Sequence, residues 1–273
     1  MPWCLTMDKA VIWDTLSIDA RTHLVDIQVF GQIDSTNLES LRQVRSGKQG
    51  TRLIVAEAQS NGRGRLGRSW MSPAGGGIYL SLIRSFGKDN KVIQSLSLVS
   101  AISVLKVVEA LGGNSLQLKW PNDLLFRGQK LAGVLLELHV GTAANNLVFG
   151  IGLNLSLSDE DKSFIDRPIT DLRSILGERP DESIVVAKIV NVLIENILIF
   201  ENQGFRPFTE IWNSYDCHIN QDIVMQVGNT RKVGKSLGVD ETGGLILQME
   251  DHRELVTGGE ISSSLGKIQE GSE

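Results

Sequence analysis

Cysteine is scarce in this chain. There are two among 273 residues, Cys4 and Cys217, far apart and in no C-x-x-C pair. That excludes a disulfide framework and points to two free thiols in a reducing compartment. The four histidines, His23, His139, His218 and His252, are scattered and none sits in a zinc-ligand spacing, so no metal site is expected. Positive charge is not in excess: 27 Lys and Arg face 32 Asp and Glu, for a net charge of −5 and a pI near 5.5. This argues against a general nucleic-acid coat protein, though not against a local basic site. No apolar run of about 20 residues stands out, so no membrane span is expected. Residues 1–10 carry one lysine and no apolar h-region, so no signal peptide is expected and the cytoplasm is the expected location. Repeats and low-complexity stretches are missing.

What remains is ordinary globular material, 41% hydrophobic and 22% charged, enough to bury a core and to exclude wholesale disorder. The length suits two domains. Residues 1–30 read as a short extension with a weak apolar face at Val11, Ile12, Leu16 and Ile18. Thr36 and Glu39 have capping-box spacing at the start of a helix. Leu53 to Ala58 and Ile78 to Ile83 read as buried strands. Ile93 to Leu111 shows a broad helical stripe ended by Gly112-Gly113. Strand-like runs follow at Leu116 to Trp120, Val134 to His139 and Leu147 to Leu155, then a long helix from about Ser183 to Gln203. After residue 219 the composition changes to short strands at close spacing, which suggests a small β-barrel over 219–273.

Chemistry concentrates in a few segments. Gly62-Arg63-Gly64-Arg65-Leu66-Gly67-Arg68 contains a literal G-x-G-x-x-G. A dinucleotide-binding turn, however, needs a helix to begin at those glycines, and here Pro73 and Gly75-Gly76-Gly77 follow instead. The better reading is a flexible loop whose arginines are forks for carboxylate or phosphate. Lys119-Trp120-Pro121-Asn122-Asp123 gathers a cation, an amide and a carboxylate at a strand end. Lys130 opens an apolar strand and could present a point charge to phosphate. Gly133, Gly150 and Gly152 inside strands suggest close approach of a backbone or ligand. Asn154 has the donor–acceptor pattern to read an adenine edge. No Ser-His or Cys-His arrangement is evident.

Taken in order, Asp34-Ser35-Thr36-Asn37, Gly62 to Arg68, Lys119 to Asp123, Lys130-Leu131-Ala132-Gly133, Gly152-Leu153-Asn154 and Gly258-Gly259-Glu260-Ile261-Ser262 resemble biotin protein ligases over roughly residues 31–266. The resemblance implies an α+β fold: a mixed β-sheet catalytic domain, 31–218, with helices packed on one side as in class II synthetases, followed by an SH3-like barrel. It implies that biotin is activated by ATP as biotinyl-AMP and transferred to a lysine of the biotin carboxyl carrier protein of acetyl-CoA carboxylase, with Mg²⁺ assisting. By the same resemblance, Ser35, Thr36, Gln59, Arg63, Arg65, Lys130 and Gly133 hold biotin. Arg65, Arg68, Trp70, Lys119, Asn122, Lys130 and Asn154 serve ATP. Lys130, Arg65 and Asp123 are the expected catalytic residues, Lys130 as the main cation and Asp123 as a base for the incoming amine.

Two departures stand out. Some members carry an N-terminal helix-turn-helix domain, and the 30 or so residues before the first motif are too few for one, so no DNA partner is expected. Some members also have an arginine shortly after the Gly-Gly-Glu-Ile-Ser run, where this chain has Ser263 and Ser264. No membrane partner is expected, and a homodimer is a possible assembly. A lipoate ligase shares the chemistry, but its Arg-Arg-x-Ser-Gly-Gly-Gly motif is missing here. A biotin sensor without catalysis fits poorly with Lys130 in place.

Overall fold

A computed structural model describes residues 6–86, 93–141 and 144–264; Cys4 lies outside them. The chain begins with two short capped helices. In α1 (Lys9–Thr15) the Asp8 side chain accepts the Ala10 N–H, and in α2 (Ile18–His23) Ser17 accepts that of Ala20. Met7, Ile12, Leu16 and Ala20 are buried in the main core. The buried Glu57 carboxylate accepts the Met7 N–H at 2.9 Å, and Ser183 accepts that of Asp8 at 2.9 Å. The segment read as a short extension is therefore built into the main body.

Seven strands form the main sheet: β1 (Leu24–Ile33), β2 (Thr51–Gln59), β3 (Gly77–Phe86), β4 (Leu116–Lys119), β5 (Asp123–Phe126), β6 (Gln129–Val140) and β7 (Asn145–Asn154). Their spatial order is β1-β2-β3-β7-β6-β5-β4. β1 and β2 run parallel, and every other neighbouring pair is antiparallel. Period two sorts their side chains. Leu53 and Val55, Leu80 and Leu82, and Phe149 and Ile151 face the main core, whereas Ile54, Ile83 and Val148 face the other way.

Helix α3 (Thr36–Arg45) lays Leu41 and Val44 over that second face. Its expected capping box does not form. Ser35 is the N-cap, the Thr36 hydroxyl turns to Gln59, and Glu39 pairs with Arg42. The larger helices pack on the first face, as expected. They are α4 (Leu96–Ala110) and, after the short α5 (Asp159–Ser163) and α6 (Leu172–Leu176), the 22-residue α7 (Glu182–Gln203). By length and apolarity α7 could cross a membrane, which corrects the expectation that no such run exists. Its apolar residues, including Val186, Ile189, Leu193 and Ile197, are instead buried in the core.

After α8 (Thr209–Tyr215), strands β8 (Asp222–Val227), β9 (Thr230–Val239), β10 (Leu245–Gln248), β11 (Arg253–Val256) and β12 (Glu260–Ser264) form an antiparallel sheet of order β11-β10-β9-β8-β12. Trp120, fully buried, donates its indole N–H to Gly243 O at 3.2 Å and ties this sheet to the main body.

Leu193→Ala empties a fully buried site and is expected to lower unfolding free energy by about 2–5 kcal/mol. Ile184→Ala on the exposed side of α7 should change it by under about 1 kcal/mol. Urea unfolding of the two variants compares them, and equal losses would contradict the burial of α7.

Candidate functional site

A cleft of about 750 Å³ opens on the sheet face that carries α3, at the N-terminal end of that helix. Its floor is backbone. Gly133 of β6 lies opposite Gly152 of β7, and Gly150 lies opposite Leu135. A Cβ on Gly152 would stand 2.5 Å from the Trp70 ring, and one on Gly150 would stand 2.2 Å from Asn37 Oδ1. Glycine is needed there because a ring lies directly on the strands.

One end of the cleft is polar and carries no net charge, its one cation, Arg63, being paired with Glu137. Gln59 Oε1 accepts the Thr36 N–H at 2.8 Å, and Gln59 Nε2 donates to Ser72 Oγ at 2.8 Å. Ser81 Oγ lies 2.8 Å from Thr36 Oγ1 and 2.6 Å from Asn37 Oδ1. Asn37 Nδ2 donates to Glu137 at 2.9 Å, and the other Glu137 oxygen pairs with Arg63 at 2.9 Å. Buried Ser35 adjoins this set. The chain of bonds holds each polar group in a fixed direction.

The other end is cationic. Lys130 Nζ pairs with Asp123 Oδ1 at 2.7 Å, with 14% and 17% of the two side chains exposed. The ammonium also stands 5.2 Å from the centre of the Trp70 ring. Burial pulls the Lys130 pKa below the usual lysine value, and Asp123 opposes that pull. Trp70 Nε1 is buried without an acceptor among the described residues, so a donor waits beside the floor. Arg65 reaches Asn122 Oδ1 at 3.3 Å and Gly259 O at 3.1 Å, and Arg68 pairs with Glu260. Burial lowers the Arg65 pKa, with Glu260 and Asp123 acting against it. Asn122 is fixed in turn by its own Nδ2, which donates to Val134 O at 2.7 Å.

The arginine-bearing segment is a closed loop and not the start of a long helix. A 3₁₀ turn at Arg65–Gly67 sits between Arg63 and Ser69, which bridge as in a ladder. Gly64 N–H donates to Arg68 O at 2.7 Å, and Trp70 N–H donates to Gly62 O at 2.9 Å. Gly67, at φ 74°, takes a left-handed turn that favours glycine. This geometry excludes the dinucleotide fingerprint.

The structure thus brings Ser35, Thr36, Gln59, Arg63, Arg65, Arg68, Trp70, Asn122, Asp123, Lys130, Gly133 and Asn154 to one cleft. Lys119 is not among its lining residues. It sits on β4, the outermost strand, two strands away from Gly133, and acts electrostatically on Cys217 and His218 instead. Asn154 has a narrower part than expected. Its Nδ2 donates to Lys130 O at 3.3 Å and Thr170 O at 2.9 Å, which leaves Oδ1 to face a ligand. The sequence did not mark Asn37, Ser72, Ser81 or Glu137 as site residues, nor Arg167 in the segment 164–169 that walls the cleft beside Lys130. Asn37 had a signal, its place after Ser35 and Thr36. Glu260 had one in the Gly-Gly-Glu run, but nothing marked it as a partner of Arg68.

The chain is similar to known proteins. The model of the biotin/lipoate A/B protein ligase family matches residues 29–154, and that of the biotin protein ligase C terminal domain matches residues 218–263. The chain is 34% identical over 237 residues to the bifunctional ligase/repressor BirA of Escherichia coli, over 86% of this chain and 73% of that protein. It is 29% identical over 240 residues to a biotin–[acetyl-CoA-carboxylase] ligase of Paracoccus denitrificans, over 85% and 98% of the two chains. A solved structure of biotin protein ligase from Aquifex aeolicus in complex with biotin and ATP matches with a TM-score of 0.75 at 29% identity, over 87% of this chain and 98% of that one.

Asp123→Ala leaves the buried Lys130 ammonium without its counter-ion and is expected to lower stability by about 3 kcal/mol. Adding Lys130→Met removes the second charge and should restore most of that loss. Denaturant unfolding of the single and double variants checks this, and equal stability of the two would show that the pair is not coupled.

Proposed function

Because the chain belongs to the biotin protein ligase family, we propose that this cleft activates biotin as biotinyl-5′-AMP and passes the biotinyl group to a lysine of a biotin carboxyl carrier protein. The observation that carries the reading is the division of one glycine-floored cleft into a neutral hydrogen-bonding end and a cationic end. Biotin is divided the same way, with a neutral ureido ring at one end and a carboxylate at the other. Ser35, Thr36, Gln59, Arg63 and the backbone at Gly133 suit the ring, and Lys130 suits the carboxylate. That polar end gives a dithiolane ring, the corresponding part of lipoate, nothing to pair with.

In the first step a carboxylate oxygen attacks the α-phosphorus of ATP, a P–O bond forms, and pyrophosphate leaves with the electrons of the broken one. Two anions must meet, so fixed cations carry the barrier lowering. Lys130 lies between the carboxylate and the α-phosphate. Arg65 and Arg68, with Asn122, take the phosphates. Both arginines are already held by acceptors on the 259–260 segment, so an anionic ligand exchanges one partner for another. Trp70 covers the biotin chain, and Asn154 Oδ1 accepts from the adenine amine. Mg²⁺, arriving on ATP, would share the phosphate charge. Asp123 and Asn122, both lining the cleft, would be the oxygen donors to hold it. In the second step the lysine amine attacks the anhydride carbonyl, AMP leaves with the C–O electrons, and the amine loses a proton. Asp123 is the carboxylate nearest to take it. Within this reading, residues 31–218 make the catalytic unit and 219–273 the C-terminal one.

Intact-mass analysis of a biotin carboxyl carrier domain, incubated with this protein, biotin and ATP, tests the reading. One biotin added only when ATP is present is expected, slowed by about 10²–10³-fold in Lys130→Ala. No addition overturns it. Transfer from preformed biotinyl-AMP separates the second step: Asp123→Asn should slow it, and an unchanged rate removes Asp123 as the base.

A further inference from the structure

Between α8 and β8, outside the cleft, three consecutive residues direct their side chains to one point. A carboxylate oxygen of Asp216, Sγ of Cys217 and a ring nitrogen of His218 lie within 4.8 Å of one another. Cys217 Sγ stands 3.2 Å from His218 Nδ1. Asp216 is only 6% exposed. Its Oδ1 accepts the His218 N–H at 2.9 Å, while its Oδ2 is buried with no partner among the described residues. A carboxylate oxygen buried in that state is unfavourable unless a proton or a cation joins it.

We propose that Asp216, Cys217 and His218 form a binding site for one Zn²⁺-type divalent cation. Thiolate, imidazole and carboxylate together are a borderline-soft donor set that suits zinc and not the oxygen-seeking Mg²⁺ or Ca²⁺. In a tetrahedral site the ligand atoms stand roughly 3.3–3.7 Å apart. The thiol and imidazole are already at about that separation, and a carboxylate oxygen stands within 4.8 Å of both. Water completes the coordination. On binding, the Cys217 thiol gives its proton to solvent and its sulfur electron pair to the metal.

The site has a structural consequence. Asp216 bridges to Leu118, and the Cys217 N–H donates to Leu118 O at 2.9 Å. A bound cation would therefore fasten the entry to the C-terminal sheet onto β4, the strand that leads into the turn bearing Asn122 and Asp123. Ligand-spacing rules miss the trio because its members are adjacent in a turn.

In a Cys4→Ser background Cys217 is the chain's one remaining thiol. The full chain in that background is titrated with Co²⁺, which reports a thiolate ligand by a charge-transfer absorption, and with Zn²⁺ by calorimetry. One equivalent of each and a thiolate band are expected, with Zn²⁺ raising the Tm. Cys217→Ser should abolish the band and weaken Zn²⁺ binding by about a hundredfold or more, beyond the effect of losing an outer-shell partner. Asp216→Asn, which keeps the shape and the turn, should weaken it by about tenfold or more and lose the Tm rise. No binding, cobalt binding without a thiolate band, or Zn²⁺ affinity unchanged in either variant overturns the proposal.

Discussion

Everything at the cleft rests on a constraint of the sheet, that two paired strands meet there without side chains. Gly133 and Gly152 face each other across β6 and β7, and Gly150 continues the bare strip. On such a strip the Trp70 ring lies against main chain, and Lys130 is brought beneath the ring. Any larger residue would lift the indole, and the ammonium would lose both its cover and part of its low-dielectric surroundings. The floor therefore sets the height of the reaction above the sheet, and the loop from Gly62 to Trp70 folds to match it.

Charge is arranged with the same economy. Four cations of the cleft already have a protein acceptor: Glu137 for Arg63, Asn122 and Gly259 O for Arg65, Glu260 for Arg68, and Asp123 for Lys130. Arginines this close to one another repel, and these acceptors keep the side chains oriented before any anion arrives. When phosphate and carboxylate enter, the pairs exchange instead of forming anew, so little ordering remains to be done. Glu260 and Gly259 belong to the segment entering β12, so the C-terminal sheet takes part in holding the arginines.

The parts of this site that could be read in the sequence are those whose residue type is unusual for its place. Glycines inside strands, arginines between glycines and a lysine opening an apolar strand each break a local rule, and all of them line the cleft. Long helices were legible from their stripes. Strands β5 and β12 were not, because four or five residues beside a proline turn or a glycine pair give no period to detect. Lys119 was assigned to ATP by the resemblance; the strand order puts it on β4, where it pairs in register with Asp123 but does not line the cleft. The linkage from Arg68 to Glu260 joins residues nearly the whole chain apart, and no local pattern announces it. The cluster at 216–218 escaped for the opposite reason, since its members are too near each other for any spacing motif.

Strands β2, β3, β6 and β7 each serve two faces. Alternate residues enter a core closed by α4 and α7, and the residues between them shape the cleft under α3. Neighbours in sequence thus answer to different selective demands. Leu135 and Gly150 face the cleft, while the side chains of Val134 and Ile151 enter the core. Such a sheet can change its substrate in single-residue steps without repacking its interior, which is a route by which one scaffold can diversify while remaining intact.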